Sequence, residues 1–475
     1  MAYICKDIDI EVVPNDPFKN DKLHREPVAL TLTAIANAYT DSGAVLAIDG
    51  EWGAGKTTFV KMWKQHLEDN GYNTLYFNAW ETDFVEDPLI ALMGELKEVF
   101  GKKSSFETLT KNFGRIGFTV GREVFKAGVK KVTGIDSDIV ETAIDETTNI
   151  CYEQIKSYNE HKAELEDFKK KLSEFVASEA QENNHPIIFF IDELDRCNPH
   201  YAVKLLERVK HLFEVPNIIF VLAVNIHQLQ YAIQGYYGSS DIDGEEYLKR
   251  FIDLNYSLPA PDLEDYVEVL YNKHSFDDYF ENDQRMHLRH LDGEKDLLLS
   301  MAKDLISYSN VNLRTVNKIF AYTRLVLQGY STTAKVSPDL LFLLCFVKLT
   351  RPILYNRIGN GEYKIQELVY ALEDELPAAI FIPKPYSFTE RHLGWAVAAL
   401  IVRYNYSSNG IEREPDFKGI KCEGQSYFEF PIKTKKLNKT ELFKALTYFY
   451  NNDPYNVNGL EYMLERINLM CHLKL

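Results

Sequence analysis

The sequence predicts an α/β fold: a core built on a parallel sheet, a helical lid, and a mostly helical C-terminal domain. Three apolar runs predict the sheet, Ala44-Val-Leu-Ala-Ile48, His185-Pro-Ile-Ile-Phe-Phe-Ile191 and Asn217-Ile-Ile-Phe-Val-Leu-Ala-Val224. Each is continuous rather than alternating, as strands covered on both faces are. Each also ends in glycine or a polar residue, where such a sheet presents its chemistry.

The first run leads into Gly50-Glu51-Trp52-Gly53-Ala54-Gly55-Lys56-Thr57-Thr58, followed by the helical pattern Phe59 to Leu67. A strand, a G-x-x-x-x-G-K-T loop and a helix, in that order, form a cradle for polyphosphate. Converging backbone N–H groups need glycines for close approach, and the helix directs its positive end at the anion. Lys56 is expected at the β- and γ-phosphates and the Thr57 hydroxyl on Mg²⁺. The expected ligands are ATP and Mg²⁺.

The second run ends in Asp192-Glu193-Leu-Asp195-Arg196. A carboxylate at the tip of a buried strand is costly without a compensating cation or hydrogen bonds. Asp192 is the expected Mg²⁺ partner, through water, and Glu193 the expected general base for an attacking water. The third run ends at Asn225. Its expected role is to hold that water or sense the γ-phosphate, and the competing reading is an ordinary strand-exit asparagine.

Four segments together, Gly50 to Phe59, Phe77-Asn-Ala-Trp80, Ile191-Asp-Glu-Leu-Asp-Arg-Cys197 and Val221 to Asn225, resemble the KAP family of P-loop NTPases. The resemblance covers roughly residues 20 to 325. It implies an additional-strand (ASCE-type) core related to AAA+ and STAND ATPases, and, for bacterial members, roles in conflict with phages and plasmids beside partner proteins. Two features depart from the family pattern. Glu193 stands where the family usually has Asp, and the chain shows no transmembrane helices between the loop and the acidic strand.

Composition is that of an ordinary globular protein, with 475 residues, 45% hydrophobic and 26% charged. A net charge of −17 argues against a broad nucleic-acid footprint, while leaving room for a local basic channel. Cysteines 5, 151, 197, 345, 422 and 471 form no Cys-x-x-Cys pair, which suits a reducing, cytoplasmic setting and gives no zinc pattern. His287 and His290 have no acidic or cysteine companions and read as solvated. The longest apolar run, Leu340 to Val347, is too short to span a bilayer and reads as a buried helix.

The expected domains are a core over 1–260 with a helical insert at about 100–184, a lid over 261–330, and a partner-recognition domain over 331–475. Within the insert, Arg122, Lys126 and Lys130 oppose Phe125, Val129 and Val132, a basic amphipathic pattern open to a membrane-surface reading or an ordinary surface helix. Residues 136–184 read as an acidic helical hairpin.

Arg250, in an Arg-Phe…Leu-Pro element resembling the exit from AAA+ cores, is the candidate finger for a neighbouring copy; the alternative is a surface ion pair. Arg314, near the start of the predicted lid helix, is the candidate γ-phosphate sensor; the alternative is a solvated arginine. Lys433, Lys435, Lys436, Lys439 and Lys444 lie beside Tyr427, Phe428 and Phe430, a pattern open to single-stranded nucleic acid or peptide, or to a solvated loop.

The expected function is a Mg²⁺-dependent ATPase coupling nucleotide state to homo-oligomeric assembly or a protein effector partner, in antiphage defence by family analogy. A slow-hydrolysing switch or scaffold is the first alternative, and a nucleic-acid-stimulated motor the second. A membrane partner is not expected.

Overall fold

The computed structural model describes residues 10–85, 87–103, 106, 109, 150–212, 215–259, 263–288, 291, 293–377, 389–407, 420–421, 428–452 and 459–469. The basic stretch containing Arg122, Lys126 and Lys130 lies outside the described residues, as do His290 and Tyr427. The chain divides into two compact units, Asp9–Ala260 and Pro261–Leu475.

In the first unit the elements run α1 (Glu26–Ala38), β1 (Ala44–Asp49), α2 (Lys56–Asp69), β2 (Thr74–Asn78), α3 (Pro88–Phe100), α4 (Ile150–Asn183), β3 (Ile187–Asp192), α5 (Pro199–Leu212), β4 (Ile218–Val224), α6 (Ile226–Tyr237), α7 (Gly244–Leu248) and β5 (Leu254–Ser257). The strands form one sheet in the order β2-β3-β4-β1-β5. Every pairing is parallel. β4 therefore stands between the strand that feeds the glycine loop and the strand that ends in Asp192, the additional-strand arrangement.

Burial explains the continuous apolar runs. Val45, Phe189, Ile191, Phe220 and Leu222 pack toward α3, α4, α5 and α6 on one face. Their sequence neighbours Leu46, Ile48, Ile188, Phe190, Ile219 and Val221 pack toward α1 and α2 on the other. Trp63 of α2 is fully buried and meets Phe190 edge-on, ring centroids 5.2 Å apart. Each fully covered ring of that size contributes about 1.5–3 kcal/mol. Where a hairpin is expected over 136–184, the described part is one long helix, α4.

The second unit is helical: α8 (Glu264–Lys273), α9 (Asp277–Phe280), α10 (Asp283–Met286), α11 (Glu294–Tyr308), α12 (Leu313–Gln328), α13 (Pro338–Thr350), α14 (Pro352–Gly359), α15 (Ile365–Glu375), α16 (Thr389–Tyr406), α17 (Lys439–Asn452) and α18 (Leu460–Leu469). A short antiparallel pair, Ile420–Lys421 with Phe428–Glu429, completes it. Residues 338 to 347 of α13 are buried on every side, which makes it the central helix of this unit. The helices before and after residue 330 pack against α13 in one shared core. No helix among the described residues is long and apolar enough to cross a membrane.

Candidate functional site

The glycine loop lies at the carboxyl edge of the sheet, between β1 and α2. Gly53 and Gly55 hold φ of +81° and +83°, a region that costs a side-chain-bearing residue about 1 kcal/mol or more. Gly50 has no such demand, since a Cβ there would meet Ala54, Lys56 and Leu258 at ordinary distances of 3.6–3.7 Å. The conformational requirement therefore falls on two of the three glycines. Gly55 caps the 14-residue α2, whose first-turn N–H groups have no side-chain acceptor. That is the donor set a polyphosphate takes.

Lys56 is nearly buried and folds over the loop, donating to the Gly50 carbonyl at 2.5 Å and the Glu51 carbonyl at 3.2 Å. Burial lowers its pKa, opposed by Asp195, Asp192 and Asp49. The three carboxylates keep the ammonium in a field shaped for a charged group.

β3 brings Asp192 to the same edge. It is 1% exposed and hydrogen-bonded three ways. Tyr76 donates its hydroxyl to Oδ2 at 2.9 Å, the Glu193 N–H donates to Oδ1 at 2.9 Å, and the Thr57 hydroxyl donates as well. Burial still raises its pKa from the ordinary aspartate value, against the pull of those hydrogen bonds and of Lys56. Thr57 and Asp192 thus face each other across the loop, one hydroxyl and one carboxylate oxygen. Mg²⁺ is held by one or two such groups plus phosphate oxygens and water, and a second charge beside Asp192 would offset its desolvation. The donor set fits Mg²⁺ and a nucleotide phosphate chain.

Glu193 adopts φ +61°, a left-handed conformation for a residue with a side chain. Strain of this kind costs about 1–3 kcal/mol and gathers at functional sites. Its carboxylate pairs with the Arg196 guanidinium at 2.5 Å and takes a hydrogen bond from the Asn78 side chain. Burial raises its pKa, and Arg196 pulls it back down. Two groups therefore hold the candidate base. Asn78 sits at the tip of β2 and also donates to Glu81 at 2.8 Å.

Asn225 joins the loop to β4. Its amide donates to the Glu51 carboxylate at 3.0 Å, and its Oδ1 accepts from the Gln228 N–H, capping α6. Both its site-facing and its strand-exit readings thus describe the same buried side chain. Asp49, at the tip of β1, accepts from the Ile226 N–H at 2.9 Å. Trp52 adds a cross-link, its indole N–H reaching Asp195 at 2.6 Å. Tyr76, Asn78 and the Trp52–Asp195 bond are site contacts that sequence reasoning missed. The Asn-Ala-Trp element was the signal for Asn78, read there only as a mark of resemblance.

The first unit holds one candidate arginine and the second unit the other. Arg250 is exposed, its guanidinium 6.0 Å from the Tyr247 ring. It lies before the amino end of β5, and β5 starts opposite Leu46. Arg250 is therefore at the edge of the sheet away from its own glycine loop. Arg314 is exposed in the first turn of α12, which Asn312 caps by accepting from the Thr315 N–H at 2.9 Å; it belongs to the second unit. Lys435 pairs with Asp374 at 3.2 Å, Lys439 with Glu429 at 3.5 Å and Lys444 with Glu441 at 2.9 Å. Three members of the C-terminal basic cluster are thus matched by acids of the same unit. Among the described residues, no group of three or more His, Cys, Asp and Glu side chains forms a metal cluster.

The sheet order, the loop and the acidic strand tip define a P-loop NTPase of the additional-strand type. A family model, the KAP family P-loop domain, matches residues 25–327, and the chain belongs to that family. The Phage T7 exclusion protein of Escherichia coli (strain K12) is 20% identical over 272 residues, 54% of this chain and 35% of that protein. The chain thus spans about a third of the length of that relative. An uncharacterized protein of Methanocaldococcus jannaschii is 29% identical over 179 residues, 31% of this chain and 88% of that protein. Among solved structures, that of the Aeropyrum pernix ORC2 protein in ADPNP–ADP complexes aligns over 78% of this chain and 84% of its own, at 13% identity and a TM-score of 0.30, too low to carry an argument.

Proposed function

We propose that this protein binds ATP with Mg²⁺ and hydrolyses it, coupling the state of its nucleotide to assembly or to a protein partner. The observation that carries this reading is the pair Asp192 and Glu193 at the tip of β3, set against Lys56 and Thr57 across the glycine loop. In this reading the α2 N-terminus and Lys56 bind the phosphate chain, and Thr57 and Asp192 hold the metal. Bound Mg²⁺ would supply Lewis-acid charge to the phosphate oxygens. Glu193 takes a proton from the attacking water, and Asn225 orients that water from its position on Glu51.

Arg250 is exposed and remote from its own loop, which supports a role toward a neighbouring copy, where it would neutralise charge developing on the phosphate. Arg314 is proposed as the γ-phosphate sensor of the lid segment. The work is divided between a nucleotide core in the first unit and, in the second, a lid over 261–330 and a partner-recognition surface over 331–475, inside a cell. The name of the Escherichia coli relative supports a role in phage exclusion, through a segment the two chains share.

A second reading rests on one specific contact. Glu193 is tied to Arg196 and Asn78, so the base is engaged before any water arrives. A protein built this way binds ATP and turns it over slowly until those ties are broken, as a switch does. The test of nucleotide binding, common to both readings, is Lys56→Ala. ATP affinity measured calorimetrically should fall about 100-fold or more, since the loss includes a charge-assisted contact of about 1.5–3 kcal/mol and the loop geometry it fixes. Circular dichroism should report an unchanged fold; unchanged ATP affinity would sink both readings.

A further inference from the structure

Arg25 is 3% exposed, and none of its three guanidinium nitrogens has a hydrogen-bond partner among the described residues. Burial draws its pKa down to about 10 against the attraction of Asp21. Asp21 does not bond the guanidinium. Its carboxylate is spent on backbone, accepting from the N–H groups of Leu23 at 3.2 Å, Arg25 at 2.5 Å and Glu26 at 3.0 Å. An unpaired buried cation is among the costliest features a fold can carry, and an anion that supplies the counter-charge would offset that cost.

The topology says where this cation stands. Only residues 39 to 43 separate α1 from β1, so the two run antiparallel, and α1 begins at the carboxyl edge of the sheet. Its 13 residues rise about 18–20 Å, matching the six residues of β1 beside it. α1 and α2 share the core on one face of the sheet, and the Trp63 indole N–H donates to the Thr33 hydroxyl at 2.8 Å. From that contact Arg25 is eight residues back along α1, and Lys56 seven residues back along α2. At about 1.5 Å per residue both are about 10–12 Å above the same point. Arg25 and Lys56 therefore stand at one level, at the edge where the glycine loop lies.

We propose that the Arg25 guanidinium is a phosphate-binding group of the nucleotide site, a second cation donating to the phosphate chain alongside Lys56. The proposal rests on the reading of the glycine loop as a nucleotide site. Phosphate is the part of a nucleotide that carries the opposite charge, and the planar fork of arginine matches two of its oxygens.

Four proteins, wild type, Arg25→Met, Arg25→Lys and Lys56→Ala, are titrated with Mg-ATP and with inorganic tripolyphosphate, and melted without ligand. Arg25→Met should weaken both ligands by about 10- to 100-fold, the range of a charge-assisted contact. Without ligand it should melt no lower than wild type, because an unpaired buried charge has been removed. Arg25→Lys should keep part of the affinity.

Arg25→Met binding both ligands as wild type does would overturn the proposal. So would a loss for ATP alone, which would place Arg25 on the base or sugar. A large fall in melting temperature without ligand would make Arg25 a structural residue and overturn it too. Failure of the underlying reading looks different: wild type and Lys56→Ala would then be alike toward ATP.

Discussion

The strand edge of the sheet unit and the interior of the helical unit handle buried charge differently. Away from that edge the sheet unit also pairs buried charges, Asp87 with Arg208 and Glu179 with Lys103. In the sheet unit, Lys56, Asp192, Glu193 and Asn225 gather at one edge, with pKa values pushed by burial and one backbone held in a left-handed conformation. In the helical unit, two buried carboxylates are closed off by their own neighbours. Glu373 is fully buried, and its carboxylate accepts from the backbone N–H groups of Lys435, Lys436 and Leu437 at 2.8–3.0 Å. Arg285 pairs with Glu294 and donates to the carbonyls of Thr332 at 2.7 Å and Ala334 at 2.9 Å. Burial holds Glu294 up at about 7 despite that pairing. Charge satisfied locally builds structure, whereas charge gathered at a strand edge with capacity left over prepares chemistry.

That contrast can be broken or sharpened by substitution. Glu373→Ala should have the larger effect on stability, about 2–4 kcal/mol in chemical denaturation, because three backbone donors lose one acceptor. ATP affinity should stay within about twofold, under 0.5 kcal/mol. A coupled loss of ATP binding would mean the division between units is false.

Arg196→Ala should act on rate rather than stability. Arg196 lowers the raised pKa of Glu193, so its removal lets that pKa climb further. A general base works deprotonated, so turnover rises as pH rises through its pKa. The acidic limb of the pH–rate profile should therefore move to higher pH, with faster turnover at alkaline pH once the base is released. An unmoved limb would show that Glu193 is not the group titrating. Lys435→Ala should do least, at most about 0.5 kcal/mol, because an exposed pair with Asp374 is screened by solvent. A large drop in thermal stability there would contradict the account of the basic cluster.

How much of this was legible in the sequence follows from how local each signal is. Strands covered on both faces write continuous apolar runs, so β1, β3 and β4 are readable, and the spacing of Gly50, Gly55 and Lys56 marks the loop between β1 and α2. The contacts that tune the site join residues far apart: Tyr76 to Asp192, Trp52 to Asp195 and Asn225 to Glu51 are separated by 116, 143 and 174 positions. No periodicity records such pairs. The left-handed backbone of Glu193 has no composition cue, because glycine and asparagine are the residues that advertise it. Arg25 reads as one arginine before a Glu-Pro helix start, and only its burial without a partner among the described residues singles it out. The lysines near the C-terminus leave two readings open for the same reason, since Asp374, Glu429 and Glu441 are the acids that answer them.

The central claim is that the tip of β3 carries catalytic chemistry. Its most direct test is steady-state ATP hydrolysis with Mg²⁺, wild type beside Glu193→Gln, across a range of protein concentrations. The account predicts turnover in the wild type that rises with concentration, and a fall of about 10²–10⁴-fold in the variant with ATP affinity retained. Equal turnover in the two proteins would contradict it.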